Sequence, residues 1–452
     1  MSSRSRKSSL SQSAVTVITV AALALIAGAV YGQASTPAVF VCNNGNLEGS
    51  VSSFVINPNG SLEFVDVVVT GTRPSLTVPC PYCNAYEISL TPDGAYLALT
   101  HPAGDLDGLS ILRVETDASL TLVVQLTLPV GQDGPLDVQW LDHQHLAVLR
   151  TGPSPDQVAV YVFHPGGPSL TFSHAVSVGT SGGYLALHPT GQYLYASNSS
   201  TPRQVYAFAV GPGASLTQID VEPSGTPFPL EVTVSPDGTK LYAAGGISGT
   251  GHDVIGMTVN PDGTLTAMSG SPFYSPGQSP SNVFVSGDNG YCIVGHGTDA
   301  TVRVLAVNPL TGALTDTGHS FDVGMQGTLG DVRVLDDLLF VTDNSDGPTG
   351  VYSFTIGAGG ALTQNGALLS TSGISPRSIA TWAPPPVPGD LDDDGDVDID
   401  DFALFVDCMS GPEVTTPPPG CAPDVFDAAN LDTDADVDLG DFAEFENAFT
   451  KA

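Results

Sequence analysis

A repeat of roughly 48 residues constrains this chain more than any other feature. The phrase apolar-x-apolar, Pro-Asp-Gly, Tyr-Leu-apolar reads YEISLTPDGAYLALTH at Tyr86–His101. It returns as YLALHPTGQYLYASN at Tyr184–Asn198 and LEVTVSPDGTKLYAAGG at Leu230–Gly246. Looser copies start at Leu136, Ser281 and Gly330. A further strand pair follows each copy, as at Gln204–Ile219 and Gly350–Asn365. Alternating residues give strands with two faces, and Pro-Asp-Gly supplies the turns. Four strands cannot cover both of their own faces, so such units pack radially into a β-propeller. The ends set the blade number. Ala38–Asn43 matches the second strand of a unit and Ser375–Trp382 a first strand. Joined, they complete a seventh blade. The expected fold class is therefore all-β: a seven-bladed propeller over 35–382, its ring closed by strands from both ends of the repeat region. A small α-helical domain follows.

Composition agrees. Charged residues are 13% of the chain, with 51 glycines and 36 prolines, as many short strands and tight turns require. The net charge of −35 repels phosphate backbones and argues against nucleic acid as a partner. Residues 1–34 read as a signal peptide. Arg4, Arg6 and Lys7 precede the apolar stretch Ala14–Tyr31, and Gly32-Gln33-Ala34 offers a cleavage site. An exported protein, secreted or at the cell surface, is expected. An uncleaved membrane anchor is the alternative. Export permits disulfides. Cys408 and Cys421 bracket an insertion and are expected to pair, Cys80 and Cys83 can bridge locally, and Cys42 and Cys292 read as buried thiols.

Ala38 to Trp382 resembles the seven-bladed lactonase-like propellers, which include bacterial 6-phosphogluconolactonase and secreted or surface-layer proteins with YVTN-type repeats. The carriers are the PDG-x-Tyr-Leu phrases and strand pairs such as VIGMTVNPDGTLT at Val254–Thr266. That family places Pro-Arg-His at inner-strand starts and Asn-Glu-Leu after a second strand. Here Pro376-Arg377-Ser378 keeps the arginine, and Asn198-Ser199-Ser200 stands in place of the second motif. With eight Lys and Arg between Ser35 and Gly389, a phosphorylated sugar acid is not the expected substrate.

Aligning the first strands brings one position of each blade together: Glu87, Asp137, Tyr184, Glu231, Asn282, Asp331 and Ser378. Converging oxygens there would hold a divalent cation, with Arg333 and Arg377 as counter-charges, and activate water against a lactone or ester. The blander expectation, solvated acids around a wet channel, is preferred. His101, His188, His252 and His296 lack metal-ligand spacing and read as strand or surface residues.

A Pro-rich linker, 383–389, leads into residues 390–452, which hold 19 of the 47 acids. Asp390, Asp392, Asp394, Asp398 and Asp401 fall at positions 1, 3, 5, 9 and 12 of a twelve-residue loop. Asp396 offers its carbonyl at position 7, Gly395 permits the turn, and Val397 anchors the loop to its twin. The second loop runs Asn430, Asp432, Asp434, Asp436, Asp438, Asp441, with Ala435 where glycine is favoured. Two calcium sites are expected, the first stronger. Phe402, Phe405, Phe442, Phe445 and Phe449 fall at helical spacing and read as the core between two helices. Asp at position 12 and one flanking helix per loop resemble the dockerin type I module, or more broadly the EF-hand. That resemblance implies docking to a cohesin-like or other surface protein. Positions 10 and 11, usually polar in dockerins, are here Ile399-Asp400 and Leu439-Gly440.

The sequence thus favours a monomeric, non-catalytic binding or scaffold propeller, its ligand unnamed, carrying a calcium-folded docking module. The alternative is a lactonase-type hydrolase localised by that module.

Overall fold

The computed structural model describes residues 34–102, 106–225, 227–246, 253–323, 329–344, 349–385, 387–392, 397–432 and 434–449. Nearly the whole leader, His252, and Asp394, Gly395 and Asp396 of the first acidic loop lie outside these residues. No helix among the described residues is long and apolar enough to cross a membrane.

Seven antiparallel sheets form the body, each with four strands in sequential order; one carries a short extra strand. Blades one to six begin with inner strands Ile88–Leu90, Pro135–Trp140, Gly182–Leu187, Val232–Val234, Pro280–Val285 and Leu329–Leu335. The seventh is the composite: Pro376–Trp382 pairs with Ala38–Asn44, which pairs with Glu48–Ile56 and then Leu62–Thr72. Its register sets Ala38 opposite Trp382 and Phe40 opposite Ala380. Ala34, expected to be the last leader residue, is buried, and its carbonyl accepts the Trp382 indole N–H at 3.0 Å. The packed body therefore includes Ala34.

The core is a ring of seven separate interfaces. Phe40, Leu97 and Leu112 fill the one between the seventh blade and the first. Ile111, Trp140 and Phe163 fill the next. Val39, Phe54 and Phe340 close the circle between blades six and seven. Each sheet is apolar on both faces because each face meets a neighbour, the arrangement that four strands per repeat require.

Hydroxyls cross the gaps between inner strands. Thr100 Oγ1 accepts the Glu87 N–H at 3.1 Å within its own blade. Ser197 Oγ donates to the Leu230 carbonyl at 2.8 Å, and Thr342 Oγ1 to that of Arg377 at 2.8 Å, each in the following blade.

The C-terminal module holds helices α1 (Ile399–Cys408), α2 (Pro423–Ala429) and α3 (Leu439–Ala448). Asp398 and Asp438 cap α1 and α3, each in a reciprocal capping box with the aspartate three residues on. Phe405, Phe426, Phe445, Val397 and Val437 form its core, with Phe402 and Phe442 packed against it. Both cysteine pairings are present, Cys80–Cys83 and Cys408–Cys421, and Cys42 and Cys292 are buried free thiols.

Candidate functional site

The inner strands enclose a central cavity of about 340 Å³, whose lining includes Glu87, Asp137, Tyr184, Glu231, Phe284 and Arg333. The ring position is real, but its acids are not solvated. Glu87, Asp137, Glu231, Asn282, Asp331 and Ser378 are all buried. Rather than standing free in the channel, these acids are largely buried and paired by the inner strands, while Glu87, Asp137 and Glu231 still line the cavity.

The acids divide by side-chain length. Asp137 Oδ1 accepts its neighbour's N–H, from Val138, at 2.7 Å, and Oδ2 accepts Leu185 N–H of the next blade at 2.6 Å. Asp331 repeats this with Val332 at 2.8 Å and Ile379 at 2.9 Å. These two aspartates therefore staple consecutive blades. Glutamate carries its carboxylate one methylene farther. Glu231 Oε1 meets Arg333 Nη1 at 2.5 Å, and Oε2 accepts Asn282 Nδ2 at 2.9 Å. Asn282 Nδ2 also reaches Asp331 Oδ1 at 3.2 Å, and Arg333 Nη1 lies 3.5 Å from the same oxygen. On the other side, Arg377 Nη2 lies 3.5 Å from Glu87 Oε1 and donates to Tyr184 Oη at 3.1 Å. Its guanidinium sits 3.6 Å above the Tyr86 ring. Arg377 Nε is buried without a hydrogen-bond partner.

Four buried carboxylates share two guanidiniums, so full ionisation would leave uncompensated negative charge in a poorly solvated space. Burial pushes Glu87 up to about 8, against the pull of Arg377. Glu231 is likewise pushed to about 8 by burial, opposed by Arg333. Asp137 rises to about 7 through burial, moderated by its two backbone N–H bonds. The folded pKa of each glutamate lies above its ordinary 4.5, so their contribution to stability is complete below that value and is lost as pH rises through about 8. In excess calcium, the propeller's melting temperature is expected to fall between about pH 5 and 8.5, with Glu87→Gln flattening the fall.

Among the described residues, acid triads whose ligand atoms lie within 4.8 Å of one another occur in the C-terminal loops and not in the channel. The channel acids face guanidiniums and backbone N–H groups instead. His101 and His296 are buried, bonded to Ser110 at 2.8 Å and Ser275 at 2.9 Å, in keeping with strand residues. Tyr86 was not legible as a site residue, although its place beside Glu87 at the start of the repeat was a usable signal.

In the C-terminal module the triads are Asp390, Asp392, Asp401; Asp432, Asp438, Asp441; and Asp434, Asp436, Asp441. Asp401 and Asp441 are fully buried. Each accepts N–H groups from both ends of its loop: Leu391 at 2.5 Å and Asp398 at 2.7 Å, Leu431 at 2.6 Å and Asp438 at 2.8 Å. Asn430, at position 1 of the second loop, has its Oδ1 buried without a hydrogen-bond partner. Ala435 stands at φ +109°, a conformation that disfavours a side chain. Ala435→Gly is expected to stabilise the module by about 1 kcal/mol, read from its thermal transition.

No curated protein matches the sequence. The family model described as "Lactonase, 7-bladed beta-propeller" matches residues 146–250. Solved structures share the fold at low identity. A candidate 6-phosphogluconolactonase from Bacteroides uniformis is 16% identical with a TM-score of 0.60, covering 77% of this chain and 100% of that one. The periplasmic gluconolactonase of Pseudomonas aeruginosa is 18% identical with a TM-score of 0.59, at the same coverage. A functionally unknown protein from Desulfotomaculum acetoxidans is 18% identical with a TM-score of 0.57, again at that coverage. With its repeats, its composite closing blade and these likenesses, the body of the chain is a seven-bladed β-propeller, and residues 146–250 match the lactonase propeller model.

Proposed function

We propose that the propeller hydrolyses an uncharged lactone in its central channel. The observation that carries this is a pair of buried Glu–Arg contacts, Glu231–Arg333 and Glu87–Arg377, beside one cavity of about 340 Å³. A volume of roughly 300–1,000 Å³ is usual for small-molecule sites. The non-catalytic reading favoured by the sequence gives way here, because two of the three named structures carry lactonase descriptions and the channel acids are buried and charge-paired.

Ring opening needs a base, an acid and a stabilised oxyanion. Two glutamates whose pKa values lie near neutrality allow one to be ionised while the other keeps its proton. The ionised glutamate takes a proton from water as the water oxygen bonds to the carbonyl carbon. A guanidinium faces the oxygen that becomes negative. The ring C–O bond then breaks, and the alkoxide takes the proton of the neutral glutamate. Two arginines already engaged by acids leave little attraction for a phosphate, so an unphosphorylated sugar lactone suits the site better.

The test is turnover of gluconolactone above the uncatalysed rate, at a pH between neutral and about 8 where one glutamate can be ionised. Glu87→Gln and Glu231→Gln are each expected to reduce kcat by at least about a hundredfold. Wild-type turnover indistinguishable from buffer on sugar lactones would overturn the proposal. Asp331→Asn is a poor probe, because it would disturb a blade staple.

The C-terminal module fits a second role. Its carboxylate triads support calcium binding by both loops, the oxygen-rich donor set that cation takes. Asp390, Asp392, Asp394, Asp396, Asp398 and Asp401 would serve the first site and Asn430, Asp432, Asp434, Asp436, Asp438 and Asp441 the second. Ile399 and Leu439, equivalent first residues of α1 and α3, are exposed. Apolar docking through that pair to a surface partner is the reading they favour, in place of the polar pairs of dockerins.

A further inference from the structure

The second acidic loop is held by something outside itself. Ser410 and Gly411 donate their N–H groups to the Val437 carbonyl at 2.9 and 3.0 Å. The Val437 N–H donates to Ser410 Oγ at 3.3 Å. Both polar backbone groups of the position-8 residue are thus bonded to the insertion that follows α1. One residue earlier, Asp436 Oδ2 accepts the Glu413 N–H at 2.6 Å. Glu413 presents that N–H from a positive-φ turn at +63°. The Cys408–Cys421 disulfide closes the segment at its base.

Asp436 occupies position 7, where a loop of this kind supplies its backbone carbonyl. Here the side chain itself is turned inward. Asp436 is 7% exposed, and its Oδ1 is buried without a hydrogen-bond partner. Ligand atoms of Asp434, Asp436 and Asp441 lie within 4.8 Å of one another. A buried carboxylate oxygen with no donor is costly, and a cation is the partner that three converging carboxylates require.

We propose that Asp436 ligates the second-loop cation through its side-chain carboxylate, and that the disulfide-closed insertion holds that carboxylate in position. This rests on the reading of the loops as calcium sites. The insertion is then part of the site: Glu413 fixes one oxygen and leaves the other for the metal. It also supplies a rigid support where Ala435 makes the loop poorly suited to close by itself.

The test is calorimetric calcium titration of the exported chain, wild type against Asp436→Asn and against Cys408→Ala/Cys421→Ala. Wild type is expected to bind two ions. Asp436→Asn should weaken the second site at least tenfold and leave the first unchanged, since an amide nitrogen would replace one oxygen. Second-site affinity within twofold of wild type would overturn the ligand assignment and favour the carbonyl. The double cysteine variant keeps every loop residue and should weaken the second site alone, by several-fold; unaltered affinity there would overturn the role of the insertion. Should Asp436→Asn disturb both sites, the cysteine pair still decides whether the insertion acts on the second. Absence of calcium binding at both wild-type loops would defeat the underlying reading instead.

Discussion

Replacing Arg333 with methionine should lower the unfolding free energy of the propeller by about 3–5 kcal/mol at neutral pH, because it strands buried acids. Arg333 is the common partner of Glu231 and Asp331, and its Nε also donates to the Ile379 carbonyl at 3.1 Å. Without it, the carboxylates must take up protons or remain charged away from water. The loss should therefore shrink as the pH is lowered. The companion variant Glu231→Met/Arg333→Met should recover much of the stability, since removing both charges leaves less to compensate. With the Glu231→Met single variant added, urea denaturation of the four species, in excess calcium, completes the double-mutant cycle. A single Arg333→Met variant as stable as wild type would mean that the pair is solvated, contrary to its burial. Lactone turnover should be lost in both variants, separating the chemical role of the pair from its structural one.

Chelation should have an equally large effect on the other domain. In EDTA, the C-terminal module is expected to lose the helical signal of α1 and α3, while the β-sheet signal of the propeller persists. The reason is size. Phe405, Phe426, Phe445, Val397 and Val437 make a small core, and a domain of this length rarely holds itself together by apolar burial alone. Calcium at a thousandfold excess over its dissociation constant would contribute about 4 kcal/mol per site. Limited proteolysis should then cut beyond the 383–389 linker in EDTA and be suppressed on adding calcium. A module equally helical and protease-resistant in chelator would contradict calcium-dependent folding.

Much of the fold was written locally. Pro-Asp-Gly at 92–94 and 236–238 marks hairpins, and alternation marks the strands beside them, so seven blades follow from counting. Closure was legible because Ala38–Asn43 and Ser375–Trp382 each lack what the other supplies. The channel was legible only as a list of equivalent positions. That Asp137 and Asp331 would bind backbone while Glu87 and Glu231 face arginine depends on one methylene and on where the next blade's N–H falls. The two glutamate blades also have inner strands of three residues, where the others run to six or seven. In the C-terminal module, loop spacing pointed to the aspartates that converge in the carboxylate triads. The bonds from Ser410 and Glu413 to the second loop span 27 and 23 residues, and no local pattern announces them.

The composite seventh blade fixes an order of events for the emerging chain. Ala38 must wait for Trp382, so the first finished strand stays unpaired on one side until nearly all of the body has been synthesised. Six blades can assemble before then, but they form an open arc with two bare ends. Such edges invite pairing with other chains, so the interval before closure is the hazardous one for aggregation. Only the last residues, the acidic module, appear after the circle can shut.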